Sequence, residues 1–420
     1  MQIITTLGEL DEKIAECNRA EAISDDAMRA VFGTFRMEPP WDLPADPLSD
    51  AYRQAQMALY CRIAGRDYAL GNEATPFDIE AAIRRPFPFS TASGVTTGDY
   101  FMAIGALLRA MALPPSSRVI EFGPGWGHTT LMLAKLGHRV TAVDIEPRFC
   151  ELIRRRAAME GLEIEVVNDD FLWVEKARDR FDAALFFECF HHCADHLRLL
   201  QALGPALTPE ARIFFAAEPI QPEFPMPWGL RLDGNSLWAI RKNGWLELGF
   251  REEYFRQALR RTGWFGLKLP CREPGWMTLW EARRLGQPVF RAAGADPRIN
   301  TAIGERTGRG IVLAAKAPGT GLYGPYIALP AGHYRAMIRF ARNDAPRGAA
   351  RMDVAAHAGN AILATRALDG MIMASGDGAV TLPFSSEADL DQVEVRLFCD
   401  PGFQGVIEAV EIAPDPVFPW

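Results

Sequence analysis

The chain has no disulfide framework to offer. Its seven cysteines, Cys17, Cys61, Cys150, Cys189, Cys193, Cys271 and Cys399, are scattered singly, odd in number and never spaced Cys-x-x-Cys. That usage reads as reduced thiols in a cytoplasmic protein. Long apolar runs are missing too: the stretch from Phe101 is cut by Arg109, far short of the ~18 residues needed to span a bilayer. Positive charge is in deficit, with 45 Lys+Arg against 53 Asp+Glu and a net charge of −8. This argues against the basic face that non-specific binding to nucleic acid or acidic membranes requires. The opening MQIITTLGELDEKIAEC carries acids where a signal peptide has a basic region and an apolar core. What remains is 49% hydrophobic and 23% charged, ordinary for a globular chain. At 420 residues it is too long for one core, and two or three domains are expected.

Residues 1–95 read as helical and loop-rich, with no strand-like alternation. Asp25-Asp26 can cap a helix, Asp50-Ala51-Tyr52 opens an apolar-periodic run to about Ala64, and Pro39-Pro40 breaks the chain between them. A helix from about Asp99 to Met111 follows, stopped by Pro114-Pro115. From Arg118 short strands alternate with amphipathic helices: Val119–Phe122, Thr129–Leu136, Val140–Val143, Pro147–Met159, Ile164–Val167, Ala183–Phe187 and Ile213–Ala216. That rhythm implies parallel strands with crossover helices, an α/β doubly wound sheet over residues 96–285. A late helix, Glu252–Arg261, precedes two more strand candidates, Phe265–Leu269 and Trp276–Trp280. Over residues 286–420 the helices disappear. Tyr334, Ala336, Ile338 and Phe340 alternate with polar neighbours, as do Val393, Val395 and Leu397. An antiparallel β-sandwich is expected there.

The strand Val119–Phe122 runs into Gly123-Pro124-Gly125-Trp126-Gly127 and then a helix. Glycines let the backbone turn sharply and approach a ligand, and the helix start supplies free N–H groups. Asp144 ends the next strand, 21 residues after Gly123, where a carboxylate can accept from both ribose hydroxyls. Asp170 follows the third strand, where an acid can take an adenine amino group. Aspartate at a strand end also serves ordinary turn chemistry. Over roughly Tyr100–Trp280 the chain resembles the class I S-adenosylmethionine-dependent methyltransferases. The resemblance rests on Glu121-Phe122-Gly123-Pro124-Gly125-Trp126-Gly127, Val143-Asp144, Asn168-Asp169-Asp170-Phe171 and Phe181–Leu185. The family motif E/DxGxGxG is met at Glu121, Gly123, Gly125 and Gly127, whereas dinucleotide binders use GxGxxG. The resemblance implies a Rossmann-like sheet with an antiparallel seventh strand and S-adenosyl-L-methionine as cofactor. It sets Glu121 near the methionine amino group and Asp144 on the ribose, with Trp126, Asp170 and Glu188 as further cofactor contacts. It also suggests that Arg85–Thr91 folds over the cofactor as part of a helical lid. A Pro-stiffened linker packed on the core is the other reading of that segment.

After the fourth strand the chain reads Glu188-Cys189-Phe190-His191-His192-Cys193, with no N/D-P-P-Y/F of the kind that amine methylases carry. A hydroxyl needs a base to become a nucleophile, and histidine beside an acid suits that role. Oxygen is thus the expected acceptor atom. His192 is the first candidate base, His191 the second, and Glu218, at the end of the fifth strand, the alternative. Cys189, His191, His192 and Cys193 lack a structural-zinc spacing and a second ligand pair, so no metal is expected; a divalent ion bridging Asp169 or Asp170 and the substrate is the other reading. The long segment 219–250 should cover the acceptor, with Arg231, Asp233 and Trp238 suited to a polyhydroxylated ligand. Tyr323–Tyr334 resembles a strand-turn-strand segment of jelly-roll modules in bacterial carbohydrate-handling enzymes. Sugar binding and homo-oligomerisation are both open to it. The leading expectation is an O-methyltransferase of a saccharide or glycosylated metabolite. The rivals are a methylase of a small phenolic or lipid acceptor and a cofactor-binding scaffold without catalysis.

Overall fold

Apart from the edge run Ile164–Asn168, the strand-forming runs between residues 118 and 216 are largely buried on both faces, as parallel strands flanked by helices must be. In the computed structural model, which describes every residue except 41, 75, 342–345, 370–377 and 416–420, they form the centre of the first of two units, Met1–Ala282 and Arg283–Trp420. The first unit begins with a detail that the sequence pattern hid. Strands β1 (Gln2–Ile4) and β2 (Phe35–Met37) pair in parallel, although residues 1–95 were expected to lack strands. Three-residue strands are too short to show a period. Helices α1 (Leu7–Glu21), α2 (Asp25–Phe32), α3 (Asp50–Ala64) and α4 (Ile79–Arg84), joined by loops and short turns, make up the rest of this region. Ser24, one residue before the expected Asp25-Asp26, caps α2, accepting from the Ala27 N–H.

The main sheet has seven strands in the order β11-β12-β7-β6-β3-β4-β5. They are β3 (Arg118–Phe122), β4 (Arg139–Asp144), β5 (Ile164–Asn168), β6 (Phe181–Phe187), β7 (Leu207–Ala216), β11 (Trp264–Lys268) and β12 (Leu279–Arg284). β3 to β7 pair in parallel, and β12 lies antiparallel beside β7. This is the doubly wound arrangement that the alternation implied, with the antiparallel strand between β7 and β11. The crossover helices follow from their ends. α5 (Gly94–Met111) starts five residues before Asp99 because Ser93 caps it through the Thr96 N–H. α6 (His128–Lys135) springs from Gly127. α7 (Pro147–Glu160) has proline in its first turn and ends on Gly161 at φ 66°, the left-handed residue that closes helices. α8 (His196–Ala206) follows β6. The last strand starts at Leu279 rather than Trp276.

Residues 219–250 are a small layer of their own. β8 (Ile220–Gln221), β9 (Trp228–Leu230) and β10 (Leu248–Arg251) form a three-stranded sheet, with α9 (Gly234–Trp238) between the last two. α10 (Glu252–Arg261) leads back to the main sheet. The N-terminal helices pack on this layer: the Tyr52 hydroxyl donates to the Trp228 carbonyl at 2.9 Å, and the Tyr60 hydroxyl to the Gly244 carbonyl at 2.6 Å. One apolar core therefore runs from Leu10 and Tyr60 through Trp228 to Phe186 and Phe215.

The second unit is built of antiparallel strands. One sheet orders Glu305–Thr307, Gly310–Ala314, Gln404–Pro414, Gly332–Phe340 and Ala379–Ser386, with Phe290–Ala293 also on Gln404–Pro414. The other orders Gly319–Leu322, Leu390–Cys399, Ala350–Ala356 and Ala361–Leu368, with Pro325–Leu329 on Leu390–Cys399. Along Gly332–Phe340 buried and half-buried residues alternate throughout, as one-sided burial demands.

Candidate functional site

At the carboxyl edge of β3 and β4 the chain opens onto a cavity of about 400 Å³. Gly123, Gly125 and Gly127 all take left-handed φ (55°, 51° and 74°), which only glycine adopts cheaply. Side chains at the outer two have no room. A Cβ on Gly123 would stand 2.7 Å from the Cys189 Cβ, and one on Gly127 2.6 Å from Ile153. Gly125 differs: nothing lies within 4 Å of its missing Cβ, and it lines the cavity. Its N–H donates to Asp144 Oδ2 at 3.0 Å, while Glu146 N–H donates to Oδ1 at 2.9 Å. Burial pushes the Asp144 carboxyl up to about 6, against the pull of these two N–H groups. Asp170 also lines the cavity and caps its own turn through the Leu172 N–H.

The other end of the cavity is built by the turn after β6 and by residues just before β10. Glu218 is fully buried and accepts from the N–H groups of Cys189, Phe190 and His191 and from His191 Nδ1 at 2.8 Å. Burial alone would raise its carboxyl, but His191 and these backbone donors outweigh it and hold it below its usual range. Glu218 therefore fixes the turn and the His191 ring and keeps no side toward a ligand. His192 Nδ1 lies 2.8 Å from the Leu246 carbonyl. That bond makes Nδ1 the protonated nitrogen and leaves the Nε2 lone pair free. His192 lines the cavity together with Tyr68, Glu73, Glu188, Trp245 and Glu247. Glu188, at φ 53°, is exposed, with its carboxylate open to the cavity. Desolvation by the surrounding cavity wall, then the nearby Glu218 and Glu247, push it above the usual carboxylate range. Burial likewise raises Glu73.

The structure thus brings Gly123, Gly125, Asp144, Asp170, Glu188 and His192 to one cavity. Other sequence candidates stand elsewhere. Glu121 is buried beneath the turn, accepting from Thr130 Oγ1 at 2.6 Å. Trp126 packs on Phe77 and Phe149, and Gly127 fits against Ile153. His191 lies just behind His192. The three residues chosen to hold the acceptor do not line the cavity. Asp233 caps α9 through the Ser236 N–H, Trp238 is buried against Phe32 with its Nε1 on Asn18, and Arg231 pairs with Asp233 and Glu247. Arg85–Thr91 does not line it either. Its Phe87 carbonyl meets His128 Nε2, and Phe89 packs on Phe101. Tyr68, Glu73, Trp245 and Glu247 went unnoticed in the sequence. The last two fall inside the long connection that pointed to the acceptor, a few residues past those chosen.

Glu121 gives a test independent of any ligand. Burial raises its carboxyl from 4.5 to about 7. The folded state keeps the proton that the unfolded chain loses, so stability falls as pH rises from the unfolded value to about 7, and is level above. The penalty is at most ~3 kcal/mol, at 1.36 kcal/mol per unit. Glu121→Gln keeps an acceptor for Thr130 and cannot ionise. Relative to wild type, its melting temperature without ligand should rise by several degrees between pH 4.5 and pH 8. A difference that is the same at both pH values would show that Glu121 carries no such proton.

Residues 119–210 match the family model of a methyltransferase domain. Among curated proteins the chain is 33% identical over 99 residues to a ubiquinone biosynthesis O-methyltransferase of Methylocella silvestris, covering 24% of this chain and 39% of that one. It is 29% identical over 105 residues to the protein of that name from Xanthomonas axonopodis, covering 24% and 44%. The chain thus spans less than half the length of these relatives. Among solved structures, the mitomycin 7-O-methyltransferase MmcR aligns over 58% of this chain and 74% of its own at 20% identity, with a TM-score of 0.35. The core of this chain is therefore a methyltransferase domain of the class that takes S-adenosylmethionine as its cofactor.

Proposed function

We propose that the chain is an O-methyltransferase of a small, hydroxyl-rich acceptor, and that the cavity holds cofactor and acceptor end to end. The observation that carries this reading is the single cavity joining Gly125 and Asp144 to His192. The cofactor lies along Gly123, Gly125, Asp144 and Asp170. The acceptor lies among Tyr68, Glu73, Glu188, Trp245 and Glu247, where two aromatic faces and three carboxylates suit a saccharide or glycosylated metabolite. The free Nε2 of His192 activates the acceptor hydroxyl, and Glu218 and His191 position it. The relatives' names, as O-methyltransferases, support oxygen as the acceptor atom. The test is transfer of labelled methyl from S-adenosylmethionine into a pool of glycosides and phenols, read by mass spectrometry. Labelled sugar hydroxyls are expected. Label only in phenols would give the acceptor to the aromatic class, and label in none would leave a cofactor-binding scaffold.

The second unit is proposed to be an antiparallel sandwich that folds alone, serving sugar binding or self-association. Expression of residues 283–420 should give a soluble fragment with a cooperative thermal transition, and limited proteolysis should cut the full chain near residue 283. An insoluble fragment together with no cut there would refute the boundary.

A further inference from the structure

We propose that His191, His192 and Glu247 form a binding site for a divalent transition-metal ion, with zinc as the best chemical match. The proposal deepens the reading of this cavity as the acceptor site and rests on it. One nitrogen of each imidazole and a Glu247 oxygen lie within 4.8 Å of one another. An ion bonded at 2.0–2.2 Å sets such atoms about 3.4 Å apart in a tetrahedron, so a small rotation of the side chains closes the set. Both rings are already oriented from behind, His191 Nδ1 by Glu218 and His192 Nδ1 by the Leu246 carbonyl. Metal-bound histidines are held in this way, with the second nitrogen's N–H given to a carboxylate or carbonyl. With Nδ1 turned to Glu218, His191 Nε2 faces Glu247 Oε2 at 3.8 Å, a pair that a metal ion can bridge in place of a proton.

Charge points the same way. The side chains of Glu73, Glu218 and Glu247 are at most 10% exposed and all stand at this histidine pair. Arg231, 3.3 Å from Glu247 Oε2, answers one of them. Two histidines and a glutamate leave a fourth position open, as in catalytic rather than structural zinc sites. Because His192 and Glu247 line the cavity, that position faces the acceptor. There the ion would bind the acceptor's hydroxyl oxygen and lower its pKa, and the proton would leave to solvent. The oxygen then attacks the methyl carbon of the cofactor. A carbon–oxygen bond forms, the carbon–sulfur bond breaks, and its electron pair stays on sulfur.

The test uses the full-length chain, stripped with chelator and titrated with Zn²⁺ by calorimetry and with Co²⁺ by visible absorption. One equivalent of each should bind, and Co²⁺ should show the intense visible band of a four-coordinate site. Glu247→Gln and His191→Ala should each weaken Zn²⁺ binding by at least about 10-fold. Unchanged affinity for S-adenosylhomocysteine in both variants shows that they are folded. No stoichiometric binding by the wild-type chain, or equal binding by both folded variants, overturns the site. The two readings separate cleanly. Methyl transfer to a hydroxyl by the metal-free chain would remove the metal and keep the O-methyltransferase, with His192 taking the proton itself. Tight Zn²⁺ binding lost in both variants, in a chain that methylates no hydroxyl, would keep the site and remove the activity.

Discussion

Alanine in place of His192 is expected to slow methyl transfer by about 10²–10⁴-fold and to leave affinity for S-adenosylhomocysteine unchanged. The imidazole faces the cavity at the end away from Gly125, with Nδ1 held by the Leu246 carbonyl. Whether its free nitrogen takes the hydroxyl proton or ligates a cation that replaces it, the loss falls on the chemical step. Single-turnover transfer of labelled methyl, measured beside calorimetry of the product cofactor, separates that step from binding. Glu218 was the alternative base, but its carboxylate is enclosed by three backbone N–H groups and His191 Nδ1. Glu218→Gln should therefore act through His191, with a smaller loss. A His192→Ala protein that turns over within a few-fold of wild type would end the assignment, the more so if Glu218→Gln were inactive.

Gly125→Val and Asp144→Ala should abolish or sharply weaken cofactor binding in proteins that still fold. A Cβ at Gly125 meets no protein atom within 4 Å, and the methyl groups of a valine there would project into the space that the ligand needs. Its φ of 51° adds roughly 1–2 kcal/mol of backbone strain. Asp144→Ala removes a carboxylate whose charged hydrogen bonds are worth about 1.5–3 kcal/mol each, a loss of roughly 10- to 100-fold or more in affinity. Calorimetry with S-adenosylmethionine and its demethylated product gives the affinities, circular dichroism checks the fold, and NAD serves as a ligand that should not bind the wild-type chain. Wild-type affinity in both variants would place the cofactor elsewhere.

The main sheet was readable because its signals are local. Strands buried on both faces, glycines at forced left-handed turns and helices closed by Gly137 and Gly161 leave their marks within a few residues. The part of the cavity around His192 was not readable for three physical reasons. Strand-end position does not say whether a side chain turns toward ligand or core, so Glu218 looked like a base and is a buried clamp. Polar and aromatic residues in a long connection serve caps and packing as readily as ligands, which is how Asp233 and Trp238 came to be chosen ahead of Trp245 and Glu247. And Tyr68 and Glu73 reach the cavity through long-range packing of the N-terminal helices on residues 219–250, which no local pattern encodes.

The edges of the family match divide the walls of the cavity. Gly123, Gly125, Asp144, Asp170, Glu188 and His192 lie within the stretch shared with other methyltransferases, residues 119–210. Tyr68, Glu73, Trp245 and Glu247 lie outside it, on both sides. Two proteins can therefore share residues 119–210 and still differ at 68–73 and 245–247, because substitutions there leave the matched segment untouched. Sorting sequences by those two short windows, rather than by overall identity, should group them by acceptor.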